Sequence, residues 1–152
     1  MEGVGIDRFR EGDKPFLLES IEAVMLSTYP ELEGIGFIER RERAEVLLAR
    51  YFEGEGNIDI ARIDGERAGV LWWVVDYHPF TEERTAMILI VSVSPTYRRK
   101  GIARELLQKA REESLARGIK KLRLFVNPDN LPAWQLYRSL GFRAKITELV
   151  WD

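Results

Sequence analysis

Met87-Ile88-Leu89-Ile90-Val91-Ser92-Val93, a turn through Pro95-Thr96, then Arg98-Arg99-Lys100-Gly101-Ile102-Ala103 is the stretch whose reading decides the fold. The apolar run predicts a strand, and the residues after Gly101 predict an amphipathic helix lasting to about Arg117. A strand, a tight Gly-containing turn and a helix start together make an anion site. The first helical N–H groups have no partner within the helix, and the helix dipole adds partial positive charge there. Gly101 lets a ligand approach the backbone without a Cβ in the way, and small Ala103 keeps the first turn open. Arg98, Arg99 and Lys100 add longer-range attraction, with Arg104 one step further along. The natural guest is a phosphate or pyrophosphate. Taken alone, the same cluster reads equally well as a solvated loop.

A second stretch changes that balance. Asn127-Pro128-Asp129-Asn130-Leu131-Pro132-Ala133-Trp134-Gln135-Leu136-Tyr137-Arg138-Ser139-Leu140-Gly141-Phe142 predicts a strand end, a turn and a short helix. Asp129 or Asn130 can cap that helix, Pro132 suits its first turn, and Gly141 can stop it in a left-handed conformation. Ala133, Leu136 and Leu140 make an apolar face. Tyr137 lies beside that face, so a packing role is one reading of it.

With both stretches in view, the chain resembles the GCN5-related N-acetyltransferases (GNAT). The family's phosphate loop, Q/R-x-x-G-x-G/A, is matched by Arg98, Gly101 and Ala103. Its second signature, an Asn followed by a Tyr and then Gly-Phe, is matched by Asn130, Tyr137, Gly141 and Phe142. The two occur in the family's order and separation. The resemblance is firm from about residue 58 to 142 and thin before that.

The resemblance implies acetyl-CoA as co-substrate and a mixed sheet in which two parallel strands splay apart. The cofactor's pantetheine arm would pair with the backbone of Val91, Ser92 and Val93. Its pyrophosphate would sit on Arg98, Arg99, Lys100, Gly101, Ile102, Ala103 and Arg104. Asn130 would hydrogen-bond the cofactor, Tyr137 would protonate or hydrogen-bond the departing thiolate, and an N–H near Val93 would polarise the carbonyl. Two positions depart from the family pattern. Members can carry a general-base Glu where this chain has Leu89 or Phe125. Asp76, Glu82, Glu83, Glu31, Glu33 or ordered water are left as proton acceptors.

Composition agrees. Apolar content of 45% and charged content of 32% describe a globular protein with a core. A net charge of −2 gives no general pull toward nucleic acid or an anionic membrane. The chain has no cysteine and one histidine, His78, so neither a thiolate zinc site nor a His cluster is expected, and no metal. No apolar stretch approaches the ~20 residues of a membrane span, and the cytoplasm is the expected compartment.

Two helices are predicted first, Pro15 to Tyr29 and about Ile38 to Phe52. Strands follow at Ile58–Ile63 and Arg67–Tyr77 around an Asp64-Gly65 hairpin turn. Further strands are predicted to end at Val93 and to span Lys121–Val126, with at least one more over Arg143–Trp151. The crossover helix 101–117 makes its flanking strands parallel neighbours. The expected fold is a mixed-sheet α/β domain over residues 1–152: an N-terminal helical pair, an antiparallel meander, then strand-helix-strand-helix-strand. Residues 1–57 would shape the acceptor site and 58–152 the cofactor core. The expected activity is acetyl transfer from acetyl-CoA to a primary amine in a ternary complex. The alternatives are a protein N-terminal or lysine acetyltransferase, or a CoA-binding sensor without turnover. The partner is a small-molecule or peptide amine, with room for a homodimer.

Overall fold

The computed structural model describes residues 3–152. The elements are β1 (Val4–Arg8), α1 (Lys14–Thr28), α2 (Phe37–Tyr51), β2 (Gly56–Ile63), β3 (Glu66–Tyr77), β4 (Arg84–Val93), α3 (Ile102–Ala116), β5 (Leu122–Arg123) and α4 (Leu131–Leu140). One sheet runs in the order β1-β2-β3-β4-β5, antiparallel as far as β4, with β5 parallel to β4. The β2–β3 loop is Asp64-Gly65, both at positive φ (51° and 80°), as a two-residue hairpin turn requires.

β3 is the middle strand, and its apolar run buries both faces. Trp72 and Val74 join Leu17, Ile21, Ala44 and Leu48 beneath α1 and α2. Leu71 and Trp73 join Ile102, Leu106, Leu107 and Ala110 beneath α3. Trp72 and Trp73 are fully buried, each contributing about 5 kcal/mol of apolar burial at about 25 cal/mol per Å². This sandwich is why Trp72-Trp73-Val74-Val75 lacks the alternation of a half-exposed strand.

Three expectations are corrected. The helical pair is preceded by a strand, β1, which pairs with β2 from Val4↔Ile63 to Arg8↔Asp59, so the antiparallel part has four strands. The strand expected over Lys121–Val126 pairs only at Leu122 and Arg123. The strand expected over Arg143–Trp151 joins no ladder, and every residue from Arg143 onward is exposed.

Asp13 ties the start of α1 to the β2–β3 hairpin. Its carboxylate accepts hydrogen bonds from Arg62 Nη2 (2.8 Å), Arg67 Nε (2.6 Å) and the Arg10 backbone N–H (2.9 Å). Burial alone would push the carboxyl up. The bonds from Arg62, Arg67 and Arg10 outweigh it and hold the pKa at about 2. A folded-state pKa below the unfolded value, about 3.9, stabilises the fold above that value and loses the contribution as pH falls toward 2. Asp13→Ala is expected to cost about 2 kcal/mol in urea unfolding at pH 7, because it removes the hydrogen bonds that Arg62, Arg67 and the Arg10 N–H make to one buried carboxylate. The gap to the native protein should narrow at pH 3. An equal gap at both pH values would show that Asp13 acts through packing alone.

Candidate active site

The ladder between β3 and β4 shifts register between Trp72↔Ile90 and Trp73↔Ile88, leaving Leu89 as an extra residue in β4. Leu89 and Ile90 consequently both pack toward α1 and α2. A bulge bends its strand and sharpens the local twist. On the other side of β4, the parallel ladder ends at Met87↔Arg123. Past that point the two parallel strands separate, and the backbone of Leu89–Val93 has no strand partner on that side. The opening is a shallow cleft open to solvent. Ile88, Leu89 and Val91 form one wall, Leu124, Phe125, Val126 and Asn127 the other, with Asn130 and Tyr137 beside it. Val24, Ser27 and Thr28 of α1 complete it.

Beyond Val93 the chain makes a single helical turn, Pro95–Tyr97, and reaches α3 through residues 98–101. Arg99 (φ 63°) and Gly101 (φ 79°) are both left-handed. Gly101 is the N-cap of α3 and has no side chain to offer, so the first N–H groups of the helix have no side-chain cap. Arg98 Nε donates to the Val93 carbonyl at 3.2 Å, holding the turn against the end of β4. Lys100 Nζ lies 5.6 Å from the centre of the Tyr97 ring, and Arg104 Nη2 donates to Ser139 Oγ at 2.6 Å. Ile102 is 1% exposed, so its side chain belongs to the core and only its N–H faces the turn. A Cβ on Gly69 would meet Ser92 O at 3.1 Å and Ile102 Cγ2 at 3.2 Å. That glycine therefore lets α3 start close against the sheet.

Asn130 caps α4, its side-chain oxygen accepting from Ala133 N–H at 3.3 Å, which leaves its NH₂ donors free of that bond. Gly141 ends the helix at φ 102°, with Phe142 N–H returning to Tyr137 O at 3.0 Å. Tyr137 touches Phe142 edge to face at 5.6 Å. Burial pushes its phenol above the ordinary value, so it keeps its proton at neutral pH. The hydroxyl makes no hydrogen bond to the protein among the described residues. The sequence reading missed Asn127, whose Nδ2 donates to Thr28 O at 3.4 Å and whose Oδ1 accepts from Asp129 N–H at 2.9 Å. An Asn before Pro at a strand end was the available signal.

Among the described residues, no carboxylate lines the cleft. Asp76 pairs with Arg123 at 2.9 Å and Glu83 with Lys121 at 2.7 Å, both at the Arg84 end of β4 where the ladder is still closed. The Lys121 bond holds the Glu83 carboxyl below its usual range. Glu82 lies in the loop before β4 at φ 60°, while Glu31 and Glu33 are exposed on the turn after α1. Among the described residues, no group of three or more His, Cys, Asp or Glu is placed to hold a metal ion. Among the described residues, no helix is long and apolar enough to cross a membrane.

These features define a class: a mixed α/β sheet opened between two parallel strands, with an uncapped helix N-terminus at the end of the opening. The chain belongs to the acetyltransferase (GNAT) family, which it matches over residues 18–142. A mycothiol acetyltransferase of Streptomyces bingchenggensis is 27% identical over 150 residues, covering 99% of this chain and 46% of that protein. The chain thus spans about half the length of the curated relatives it matches. A Pyrococcus furiosus chain assigned as an acetyl transferase superimposes with a TM-score of 0.85 at 26% identity, covering 98% of this chain and 99% of that one. A Clostridium acetobutylicum acetyltransferase solved with acetyl-CoA shares the fold, with a TM-score of 0.73 at 19% identity over 98% and 96% of the two chains.

Proposed function

We propose that this chain transfers an acetyl group from acetyl-CoA to a primary amine held in the cleft between β4 and β5. The observation that carries the reading is a coincidence in space. The strands part after Met87, the uncapped start of α3 lies beyond Val93, and the phenol of Tyr137 stands unbonded beside the opening.

In this reading Val91, Ser92 and Val93 offer unpaired backbone to the amides of the pantetheine arm, as an added strand would. The N–H groups of Ile102, Ala103 and Arg104, with the cations Arg98, Arg99 and Lys100, take the pyrophosphate. The NH₂ of Asn130 reaches the same ligand. Acetyl-CoA supplies a thioester already activated toward amines. The protein's part is to hold the two reactants together, which accounts for most of the rate in such a reaction. A backbone N–H near Val93 polarises the carbonyl. As the N–C bond forms and the C–S bond breaks, the amine nitrogen releases one proton to water, and Tyr137 gives its proton to sulfur and regains one from solvent. The cytoplasm is the compartment in which this reading places the chain.

The cleft walls bear on the acceptor. Leu89, Leu124, Phe125, Val126, Ser27 and Thr28 offer apolar surface and hydroxyls but no countercharge. They suit a small amine with a neutral body better than a polycation. A thermal-shift titration with acetyl-CoA, followed by thiol release against small amines and peptides, tests the proposal. Release with small amines supports it. Release with peptides alone favours a protein acetyltransferase, and binding without release favours a sensor.

The same walls predict a pH dependence. With Leu89 and Phe125 lining the cleft and Asp76 and Glu83 held in ion pairs, the free-amine fraction of the acceptor controls the rate. An alkyl amine with a pKa of about 10.4 is mostly protonated at neutral pH, so kcat/KM should rise about tenfold per pH unit. The inflection should move with the acceptor's own pKa across a series of amines. A fixed inflection near neutrality, lost in Asp76→Asn or Glu83→Gln, would reveal a dedicated protein base.

A further inference from the structure

A charged cluster lies between β2 and the second half of α3, two strands away from the cleft. Ile58 and Ile60 join the core beneath α1 and α2, and Ala61 the core beneath α3. Strand alternation therefore turns Asp59 toward α3. Asp59 is 1% exposed, and neither oxygen of its carboxylate has a hydrogen-bond partner among the described residues. Its ion pair with Lys109 Nζ, at 3.6 Å, is too long for a hydrogen bond. The same ammonium lies 3.7 Å from Glu113 Oε1, one turn further along α3, and donates to the Ile6 carbonyl of β1 at 3.4 Å. Glu113 Oε2 accepts from Asn57 Nδ2 at 2.8 Å. Two carboxylates thus share one ammonium, and the more deeply buried of them is the worse served.

The surrounding cations do not relieve this. Arg8 stands opposite Asp59 in the β1–β2 ladder and makes no ion pair with either carboxylate. The Arg117 guanidinium lies over the Trp73 ring at 4.8 Å and donates to the Gly56 carbonyl at 3.2 Å. Burial and the neighbouring Asp59 charge push the Glu113 carboxyl up, against the opposing pull of Lys109, Arg8 and Arg117. A buried carboxylate without donors destabilises the fold unless some change of state satisfies it.

We propose that Asp59, Lys109 and Glu113 form a proton-operated latch between β2 and α3, in which acidification places one proton on Glu113 and frees Lys109 to serve Asp59 alone. The proton comes from solvent, since the Glu113 side chain is 21% exposed. The neutral carboxyl keeps an oxygen for Asn57 and gains an O–H that can donate to Asp59. Repulsion across the ammonium disappears, and the second half of α3 is held more firmly. The sign is opposite to that of Asp13. A folded-state pKa above the unfolded value, about 4.3, gives a contribution that is fully present below that value. It is lost as pH rises through the folded pKa.

Thermal melts of the native chain and of Glu113→Gln between pH 4 and pH 8 test the latch. Glutamine keeps the acceptor for Asn57, adds a donor for Asp59 and cannot ionise. Its Tm should exceed the native one by about 3 °C at pH 8, and the difference should vanish toward pH 4. Asp13 titrates in both proteins, so the comparison isolates Glu113. In an Asp59→Asn background, the same substitution should give a smaller gain at pH 8. Amide exchange of residues 109–116 in the native chain, corrected for its intrinsic pH dependence, gives a readout that needs no variant. Protection there should rise on acidification by up to about tenfold for each unit by which the Glu113 pKa is raised. A difference in Tm that is the same at every pH, a lower Tm for Glu113→Gln at pH 8, or protection of α3 that ignores pH would each overturn the proposal.

Discussion

Gly101→Glu is expected to abolish the rise in Tm that acetyl-CoA produces in the native protein. At a hundredfold excess over Kd that rise corresponds to about 2.7 kcal/mol, so its loss is readily measured. The substitution places a carboxylate at the N-cap of α3, where the pyrophosphate would otherwise meet the first N–H groups. It also has a second effect. Gly101 sits at φ 79°, and an L-residue there costs about 1–2 kcal/mol. The apo variant should therefore melt earlier for reasons unrelated to ligand. Gly101→Ala separates the two, since it carries the same backbone strain without the charge. Both variants should show the same drop in apo Tm, with part of the ligand-induced rise surviving in the alanine form alone. A full rise in the glutamate form would remove this turn from the binding site.

Tyr137→Phe is expected to lower kcat by about 10–1000-fold, the general-acid range extended downward because water can partly replace the phenol. Acetyl-CoA affinity should hardly change. The ring and its edge contact with Phe142 remain, and the deleted hydroxyl has no protein partner to strand. Apo stability should accordingly move by less than about 1 kcal/mol. Single-turnover thiol release measures the first quantity and urea unfolding the second. Unchanged kcat would leave Tyr137 as a packing residue. Lost stability would mean that its hydroxyl matters to the fold.

Where local pattern and tertiary need agree, this structure was legible in the sequence. The Gly101 turn, the Asp64-Gly65 hairpin, the α4 stop at Gly141 and the doubly buried Trp72-Trp73 run each combine a local preference with the packing that uses it. β1 was not legible. Val4-Gly5-Ile6-Asp7-Arg8 is short, contains a glycine and a charge pair, and is a strand only because the outer edge of β2 accepts it. The bulge at Leu89 was also invisible, since an apolar run looks the same with or without an extra residue. The fork of β4 and β5 follows from geometry that no residue announces. Arg143–Trp151 is the converse case: its propensity is that of a strand, but propensity without an edge to pair with makes no strand. At the cleft, Leu89, Val91, Phe125, Asn130 and Tyr137 are residues the sequence singles out, whereas Val24, Ser27 and Thr28 are not, because they come from a helix about sixty positions away from the strands they face.

The ionic knot at Asp13 has a mechanical side. It clamps one end of α1, while residues near the other end, Val24 to Thr28, form the cleft's third wall and are tied to Asn127 by a single 3.4 Å hydrogen bond. A fifteen-residue helix is a rod about 22 Å long at about 1.5 Å per residue. Each degree of rotation about the clamped end moves the far end by about 0.4 Å on that length. Together with the packing of Leu17, Ile21 and Val24 against the sheet, the stiffness of a junction made by one carboxylate and two guanidiniums is expected to bear on the width of a slot one helix-length away. Substitutions at Arg62 or Arg67 should accordingly widen the range of acceptors tolerated while leaving every residue that touches them unchanged.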